Sequence, residues 1–337
     1  MLRAMLLGPG VLDVAETPMP EPGADGIVVR IEAALTCGTD VKTWRRGHPK
    51  IPLPSAFGHE FTGTVAAAGR DVRTLREGDA VACTPTAPCF ACGPCLRGRT
   101  NLCDTAIAEM VFGAFGEYVR VPGRVVRTNT FMRPATMSAI TAAALEPLSC
   151  VVHGAARVDM AAAERVLIIG DGPIGLLFAR VARLQGADTV VLAGHHSARL
   201  DVGRDYGAEV TTAGPAELRE RFSGEKGADV VIECVGKPEL WTLAHDLTRP
   251  GGVALLHGGC AGGTAVAFDS FRMHYQEVDA MGAFHYRPED VRAAFDLLAA
   301  GRVDIGALVT HTVPLARFAE GFALAVDRTA IKVAILP

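Results

Sequence analysis

Several features of membrane, secreted and nucleic-acid-binding proteins are missing from this sequence. No stretch reaches the roughly eighteen consecutive apolar residues of a membrane-spanning helix, and Met1–Leu7 leads into Pro9 and Asp13 without the apolar core of a signal peptide. The formal net charge is −4 and like charges do not cluster, so no basic surface for polyanions is predicted. We therefore expect a cytoplasmic protein that binds neither nucleic acid nor membrane.

The sequence also lacks internal repeats and low-complexity linkers. Its 337 residues suit two domains, each with its own core. Hydrophobic residues make up 49% of the chain and charged residues 21%, which is ordinary for a globular α/β protein. Without a long tether, the two domains are expected to share a cleft, where ligands commonly bind.

The hydrophobic pattern changes near residue 153. Before it, short apolar runs bounded by glycine predict a mostly antiparallel β domain, with strands at Ile27–Ala33, Phe61–Ala66 and Ala80–Cys83. After it, strands alternate with helices, which predicts a doubly wound parallel sheet. The predicted order is strand Arg165–Ile169, helix Gly175–Leu184, strand Thr189–Leu192, helix Ser197–Tyr206, strand Ala228–Glu233, helix Pro238–Leu247 and strand Gly252–Leu256.

The C-terminal segment is too short for a third domain. It contains predicted helices at Pro288–Ala299 and Leu315–Val326 and a strand at Ile331–Ile335. We expect these elements to pack against the N-terminal half.

Four of the nine cysteines follow the spacing C-x2-C-x2-C-x7-C. In a long chain without a secretion signal, such a cluster indicates a metal site rather than disulfides. Four thiolates close a tetrahedron around zinc and leave no open position, so this site is predicted to be structural. An iron–sulfur cluster and four unligated thiols are the alternatives. The cluster is Cys89, Cys92, Cys95 and Cys103.

Further residues of metal-binding type are dispersed along the chain. Cys37, His59 and Glu60 offer a thiolate, an imidazole and a carboxylate, and Glu146 begins a Glu-Pro-Leu-Ser stretch. Taken singly, each is more simply explained as a core cysteine, a structural histidine or a surface carboxylate. Their surroundings favour a shared function.

The segments Cys37-Gly38-Thr39-Asp40 and Gly58-His59-Glu60 resemble the zinc motifs of the medium-chain alcohol dehydrogenase family. The resemblance extends over essentially the whole chain, including the cysteine spacing and the order of the domains. It implies a GroES-like catalytic domain, a Rossmann domain, one catalytic and one structural zinc per chain, and a homodimer or homotetramer. It also implies that Cys37, His59 and Glu60 bind the catalytic zinc, with Glu146 as fourth ligand or as partner of the zinc-bound water.

The same resemblance implies a proton path and a substrate class. Thr39 would pass the substrate proton onward and Asp40 would orient the ligand histidine. Lys42 stands where many members have a histidine, so either Lys42 or His48 could continue the relay. Gly-His-Glu followed by Glu-Pro-Leu-Ser resembles the polyol, sorbitol-type branch. Threonine dehydrogenases share Cys-Gly-Thr-Asp but carry Asp-Pro where this chain has Glu146-Pro147.

A glycine motif begins the second half. Gly170-Asp171-Gly172-Pro173-Ile174-Gly175 is G-x-G-x-x-G, it follows a predicted strand, and it opens a predicted helix. In this context glycine permits the tight turn and close approach of a pyrophosphate to the helix N-terminus. We therefore predict a dinucleotide-binding Rossmann domain at 153–287 and a zinc-containing catalytic domain at 1–152 plus 288–337.

One residue common in NAD-binding domains is missing. The second strand usually ends in Asp or Glu, which accepts hydrogen bonds from both ribose hydroxyls, yet no carboxylate occurs between Val190 and Arg199. Hydrogen-bond donors that suit a 2′-phosphate occur there instead, so NADP(H) is predicted to be preferred, with NAD(H) bound through backbone contacts as the alternative. The predicted loop residues are Gly194, His195, His196, Ser197 and Arg199.

The sequence thus predicts a zinc-dependent oxidoreductase that transfers a hydride between NADP(H) or NAD(H) and a secondary alcohol or ketone. A polyol or sugar is the favoured substrate class. Zinc with one exchangeable position favours ionisation of a bound alcohol and polarises a carbonyl in the reverse direction. The alternatives are a threonine or amino-alcohol dehydrogenase and a non-catalytic NADPH-binding protein.

Overall fold

The computed structural model describes residues 1–47 and 53–337. The chain divides into two compact units, one formed by Met1–Ser149 and Tyr286–Pro337 and the other by Cys150–His285. Within the described ranges, no helix is both long and apolar enough to span a membrane.

The N-terminal part of the first unit consists mainly of strands joined by short helices. The strands are β1 Leu2–Gly8, β2 Val11–Glu16, β3 Ile27–Leu35, β4 Ser55–Ala56, β5 Glu60–Ala68, β6 Ala80–Cys83, β7 Tyr118–Val121 and β8 Thr130–Met132. The helices are α1 Gly38–Arg46, α2 Gly93–Leu96, α3 Gly123–Asn129, α4 Ala139–Ala143 and α5 Leu145–Ala155, the last of which continues into the second unit.

The second unit alternates strands with helices. Its elements are β9 Arg165–Ile169, α6 Pro173–Leu184, β10 Thr189–Ala193, α7 Ser197–Asp205, β11 Glu209–Thr211, α8 Pro215–Arg221, β12 Ala228–Glu233, α9 Pro238–Leu247, β13 Thr248–Leu256, α10 Ser270–Tyr275 and β14 Asp279–Gly282. The strands pair in parallel in the order β11-β10-β9-β12-β13-β14. The order reverses between β9 and β12, a position at which open α/β sheets bind ligands.

The C-terminal segment returns to the first unit as α11 Pro288–Ala299, β15 Val309–Pro314, α12 Phe318–Val326 and β16 Lys332–Leu336. The predicted helix at 315–326 starts with a 3-10 turn, Leu315–Arg317, before α12. Strand β16 pairs in parallel with β15 and antiparallel with β3, which extends the sheet order to β15-β16-β3-β5-β6-β8.

Each unit encloses a separate apolar core, as its strand pattern predicts. In the first unit, Phe57, Phe115, Phe318 and Phe322 pack edge-on, tilted or stacked between the sheet and α12. In the second, the consecutive apolar residues of β9, β10 and β12 are buried, as is typical of a parallel sheet covered by helices. The predicted fold class, a mostly antiparallel β domain with a doubly wound parallel sheet, is confirmed.

Candidate active site and metal centres

The ends of three neighbouring strands bring the dispersed metal-binding residues together. In the antiparallel pairing of β3 with β5, Leu35 lies opposite Glu60, and in the pairing of β16 with β3, Ala334 lies opposite Leu35. The segment that follows β3 therefore meets the first residue of β5 and the first residue of β16. This register explains how Cys37, His59 and Glu60 become neighbours although they are separated in sequence.

Cys37, His59 and Glu60 form a compact donor set. One ligand atom from each lies within 4.8 Å of the others. His59 is 3% exposed and Glu60 is fully buried, whereas Cys37, the N-cap of α1, is partly exposed. A thiolate, an imidazole and a carboxylate at this spacing match the ligand chemistry of zinc, and the exposure on the cysteine side provides access.

Asp40 fixes the orientation of this group from the first turn of α1. One carboxylate oxygen, Oδ1, lies 3.1 Å from His59 Nδ1, and the other, Oδ2, accepts a hydrogen bond of 2.9 Å from the backbone N–H of Cys37. Burial lowers the pKa of His59, but Asp40 and Cys37 outweigh it and hold that pKa well above its usual value. Because Nδ1 faces Asp40, Nε2 is the nitrogen available to a metal.

Glu60 shares its buried position with a lysine. Lys332 Nζ forms an ion pair with Glu60 Oε2 and donates a hydrogen bond of 2.9 Å to the carbonyl of Thr36. Burial raises the pKa of Glu60, and the Lys332 ammonium opposes that rise. The other oxygen, Glu60 Oε1, is buried and has no hydrogen-bond partner among the described residues. A buried acceptor of this kind is costly unless it binds something else, and a cation fits it.

The four-cysteine segment forms a second compact donor set. All four sulfurs lie within 4.8 Å of one another, and Cys92 Sγ is 3.9 Å from Cys103 Sγ. Four sulfurs about 2.3 Å from a tetrahedral zinc would be separated by roughly 3.8 Å. All four cysteines are free of disulfides. Their arrangement fits a structural zinc site with no open position.

Backbone N–H groups prepare the sulfurs of this lobe for a metal. Cys103 Sγ accepts a hydrogen bond of 3.3 Å from the N–H of Cys89, and Cys89 Sγ accepts one of the same length from Cys92. Burial raises the pKa of Cys103, but hydrogen bonds from the N–H groups of Cys89 and Thr105 and from the side chains of these two residues together lower it to about 6. A thiolate is the form that binds metal, so the fold favours the binding form at Cys103, whereas burial raises the pKa of Cys95 to about 12.

The glycine motif lies between β9 and α6, as predicted. Gly170 has a φ of 116°, and a Cβ on Gly175 would come within 1.8 Å of the carbonyl oxygen of Gly170, so both positions require glycine. Gly172 is the N-cap of α6, has open space around it, and is followed by Pro173 and Ile174 in the first turn. The uncovered helix N-terminus fits a pyrophosphate.

Comparisons with known proteins agree with both halves of this architecture. Residues 23–129 match the alcohol dehydrogenase GroES-like domain, and residues 173–300 match the zinc-binding dehydrogenase domain. D-xylulose reductase A of Aspergillus oryzae is 32% identical, with 88% of this chain and 86% of the relative covered. The chain belongs to the zinc-dependent medium-chain alcohol dehydrogenase family. It is therefore an oxidoreductase.

Two other similar proteins differ in their described chemistry. L-threonine 3-dehydrogenase of Bacillus velezensis is 31% identical, covering 96% of this dehydrogenase and 94% of the relative. A crystal structure described as a zinc-binding dehydrogenase from Sinorhizobium meliloti, bound to NADP, is 32% identical and superimposes with a TM-score of 0.90 over 100% of this chain and 99% of that one. The comparisons thus identify the enzyme class and leave the substrate open.

The remaining residues predicted for catalysis lie around the Cys37 group. Glu146 is 8% exposed in the first turn of α5, and its charge raises the pKa of both Glu60 and Lys332, but it is not a member of the 4.8 Å donor set. Thr39 and Lys42 are exposed on α1. His48, the other candidate for the relay, falls outside the described residues.

Lys332 and Asp171 are the site residues that the sequence patterns missed. Lys332 is a lone charge in an apolar strand, which is a signal for a buried partner. Asp171 occupies an unspecified position of the glycine motif, yet its carboxylate lies at the turn after β10, where the sequence offered none. The glycine at position 194 is the corresponding feature of the sequence. It leaves space for the carboxylate, because a Cβ there would come within 2.4 Å of Asp171 Cβ.

Replacing Lys332 with methionine is expected to destabilise the dehydrogenase by about 3 kcal/mol in its metal-free form, because the buried Glu60 carboxylate loses its cation. Zinc at Glu60 would supply a replacement charge, so the loss should be smaller in the zinc-loaded protein. Urea unfolding of both forms measures the difference. Lys42→Met, at an exposed position of the same unit, is the control and should change little. Equal losses in the two forms would contradict the coupling of Lys332 to the metal.

Proposed function

We propose that this dehydrogenase transfers a hydride between NADP(H) and a secondary alcohol or ketone, with a polyol or sugar as its substrate class. The observation that carries this proposal is the donor set of Cys37, His59 and Glu60, with Glu60 Oε1 buried and without a partner among the described residues. If Glu60 had only a structural role, both of its carboxylate oxygens would be expected to have hydrogen-bond partners. Burial of an unpaired acceptor beside a thiol and an imidazole supports a metal-dependent activity.

Cys37, His59 and Glu60 are proposed to hold the catalytic zinc, with Glu146 as a further ligand or as the partner of a water. When bound, zinc supplies Lewis acidity, which makes a hydroxyl more acidic or a carbonyl more electrophilic. Asp40 holds the imidazole of His59 through the 3.1 Å contact at Nδ1, so Nε2 would be the nitrogen that binds the metal. The side chains thus orient the ligands before substrate arrives, and reorganisation is small.

Thr39 is the proposed first proton carrier. It is exposed in the first turn of α1, and its backbone N–H donates a hydrogen bond of 3.4 Å to Cys37 Sγ, which places the residue beside the donor set. A hydroxyl exchanges a proton with a neighbouring oxygen without acquiring a lasting charge. Exposed Lys42 is one candidate for the next carrier toward solvent, and His48 is the other.

Two observations support NADP(H) as the preferred cofactor. The related Sinorhizobium meliloti structure is described as bound to NADP. In this chain, the turn after β10 presents exposed His195 and Ser197, whereas the carboxylate nearest to it, that of Asp171, is already hydrogen-bonded within the protein. Arg199 is only 9% exposed, so His195 and Ser197 are the more accessible donors for a 2′-phosphate.

The proposal is tested by initial rates with NADP and NAD across a panel of polyols, sugars, simple secondary alcohols and threonine. We expect zinc-dependent turnover of a polyol or sugar and a higher kcat/KM with NADP than with NAD. Turnover of threonine alone would replace the substrate class with the amino-alcohol alternative, which the 31% identity to L-threonine 3-dehydrogenase supports. Equal kcat/KM with both cofactors would overturn the cofactor preference.

A homodimer or homotetramer located in the cytoplasm is also proposed. Within the described part of the chain, β14 has a sheet partner on one side only, so its other edge can pair with a second copy. Phe271 and Tyr275 of the preceding helix are 57% and 72% exposed, which suits burial in an interface. Light scattering of the purified protein measures the oligomer, and a monomer at micromolar concentration would contradict it.

A further inference from the structure

The turn that follows β10 is held by a carboxylate from a different loop. Asp171 Oδ2 accepts hydrogen bonds of 2.8 Å from the backbone N–H of His195 and 2.7 Å from that of His196. The His196 ring lies against the same carboxylate, with Nδ1 at 3.0 Å from Oδ2 and 3.2 Å from Oδ1. Three successive residues, from Gly194 to His196, are thus arranged around one side chain of the glycine motif.

The acceptor capacity of Asp171 is largely used within the protein. A carboxylate oxygen has two lone pairs, and Oδ2 already receives two backbone N–H groups and faces the imidazole. The side chain is 9% exposed. Burial raises the pKa of Asp171, but the N–H donors and the ring of His196 lower it by more. The net pKa is below the usual value, so the carboxylate stays ionised. Its charge is therefore directed at the turn rather than at solvent.

Gly194 allows the close approach of Asp171 to this turn. A Cβ on Gly194 would lie 2.4 Å from Asp171 Cβ and 2.6 Å from its Oδ2, so only glycine allows the approach. The N–H of Gly170 donates to the carbonyl of Ala193 at 2.9 Å, and the N–H of Gly194 donates to the carbonyl of Thr211 at 3.0 Å. The glycine motif and the turn after β10 are joined by backbone and side chain together.

We propose that Asp171 is a positioning residue for cofactor discrimination, holding the turn from Gly194 to Ser197 in the shape that binds a 2′-phosphate. The inference rests on the proposed preference for NADP(H). Asp171 does not contact the phosphate in this proposal. Its carboxylate accepts hydrogen bonds from backbone N–H groups and pairs with His196. These contacts fix the turn that carries the exposed side chains of His195 and Ser197.

Two other roles for the same carboxylate predict the opposite change in the preference for a 2′-phosphate when Asp171 is removed. If Asp171 accepted hydrogen bonds from the ribose hydroxyls, in place of the missing strand-end acid, its removal would weaken binding of the ligand without a 2′-phosphate more strongly. If its charge mainly repelled a phosphate, its removal would strengthen binding of the 2′-phosphate ligand. The positioning role predicts weaker binding of the 2′-phosphate ligand in particular.

The test uses Asp171→Ala and Asp171→Asn in the full-length protein, with calorimetric titration of adenosine 2′,5′-bisphosphate and adenosine 5′-monophosphate. These probes require neither substrate nor catalytic zinc. If the turn of the alanine variant holds its binding shape a tenth of the time, the Kd for the bisphosphate rises about tenfold. The Kd for the monophosphate should change much less. Asparagine keeps an acceptor oxygen for the backbone donors, so Asp171→Asn should lose less than the alanine variant.

Asp229→Ala is the matched control. Asp229 lies at the beginning of the central strand β12, and its carboxylate also accepts a backbone hydrogen bond, of 2.7 Å from the N–H of Arg165. A general loss of stability would affect both probes alike, in the control and in Asp171→Ala, and would overturn the positioning role. If Asp171→Ala discriminated between the two probes as well as the wild type does, the positioning role would be overturned and the cofactor preference would stand. Equal binding of the two probes by the wild type would overturn the cofactor preference, and this inference with it.

Discussion

Replacing Cys37 with alanine is expected to lower kcat/KM by at least about 1,000-fold and to reduce the zinc content from two ions to one per chain. Cys37 supplies the thiolate of the Cys37, His59 and Glu60 donor set, and without it this set would hold zinc weakly. Loss of a Lewis acid removes several kcal/mol of transition-state stabilisation, and about 4 kcal/mol corresponds to a factor of roughly 1,000. Steady-state kinetics and metal analysis of the same preparation measure both quantities.

Cys83 provides the control for this experiment. It lies in β6 of the same unit, is 1% exposed, and contacts the apolar core. It is not a member of any cluster of metal-binding side chains among the described residues. Cys83→Ala should keep both zinc ions and most of the activity. A Cys37→Ala protein that retains two zinc ions, or more than a tenth of the wild-type kcat/KM, would contradict the assignment of the catalytic site.

Seven elements of the second unit were predicted from the sequence, because each of them depends on local pattern, whereas β11, α8, α10 and β14 were not predicted. The largely apolar run Arg165–Ile169 is followed directly by the glycine motif and then by an amphipathic stretch. The observed strand has the predicted bounds. Helix α6 begins two residues before its predicted start because Pro173 suits the first helical turn. Local propensity and periodicity act over a few residues, so they are visible in one sequence.

The contacts that complete the candidate sites are long-range, and this is why the sequence patterns missed them. Lys332 and Glu60 are 272 positions apart, and their ion pair depends on the register of β16 against β3. Asp171 reaches His196 across 25 positions because β9 and β10 end side by side. In both cases the residue type was visible in the sequence. Its partner was fixed only by strand pairing, which a single sequence does not specify.

The spacing of the four-cysteine segment, in contrast, predicted the composition of its site, since Cys89, Cys92 and Cys95 are close along the chain. The structure adds the reason that the lobe needs a metal. Its core consists of the cysteines and Ala106, and Leu96 and Leu102 are 75% and 48% exposed beside it. So small an apolar core cannot offset the conformational entropy of ordering the loop. We therefore expect metal–thiolate bonds to supply the difference.

Replacing Cys103 with alanine is accordingly expected to release the structural zinc and to lower the midpoint of thermal unfolding by roughly 10 °C. Cys103 accepts a backbone hydrogen bond that helps to lower its pKa to about 6, so its sulfur is in the thiolate form that binds metal. Structural zinc contributes directly to folding free energy, and a loss of about 3 kcal/mol shifts the midpoint by roughly 10 °C in a domain of this size. Calorimetry and metal analysis measure the two effects.

Leu102→Ala changes an exposed side chain next to Cys103 and should leave the metal content and the unfolding midpoint nearly unchanged. The Cys37, His59 and Glu60 donor set does not include Cys103, so the Cys103→Ala protein should keep one zinc ion and measurable turnover well below its unfolding midpoint. Visible absorption in the wild-type protein would indicate an iron–sulfur cluster instead of colourless zinc. An unchanged midpoint after loss of the metal would show that the lobe folds without it, and the small core would then have to be sufficient.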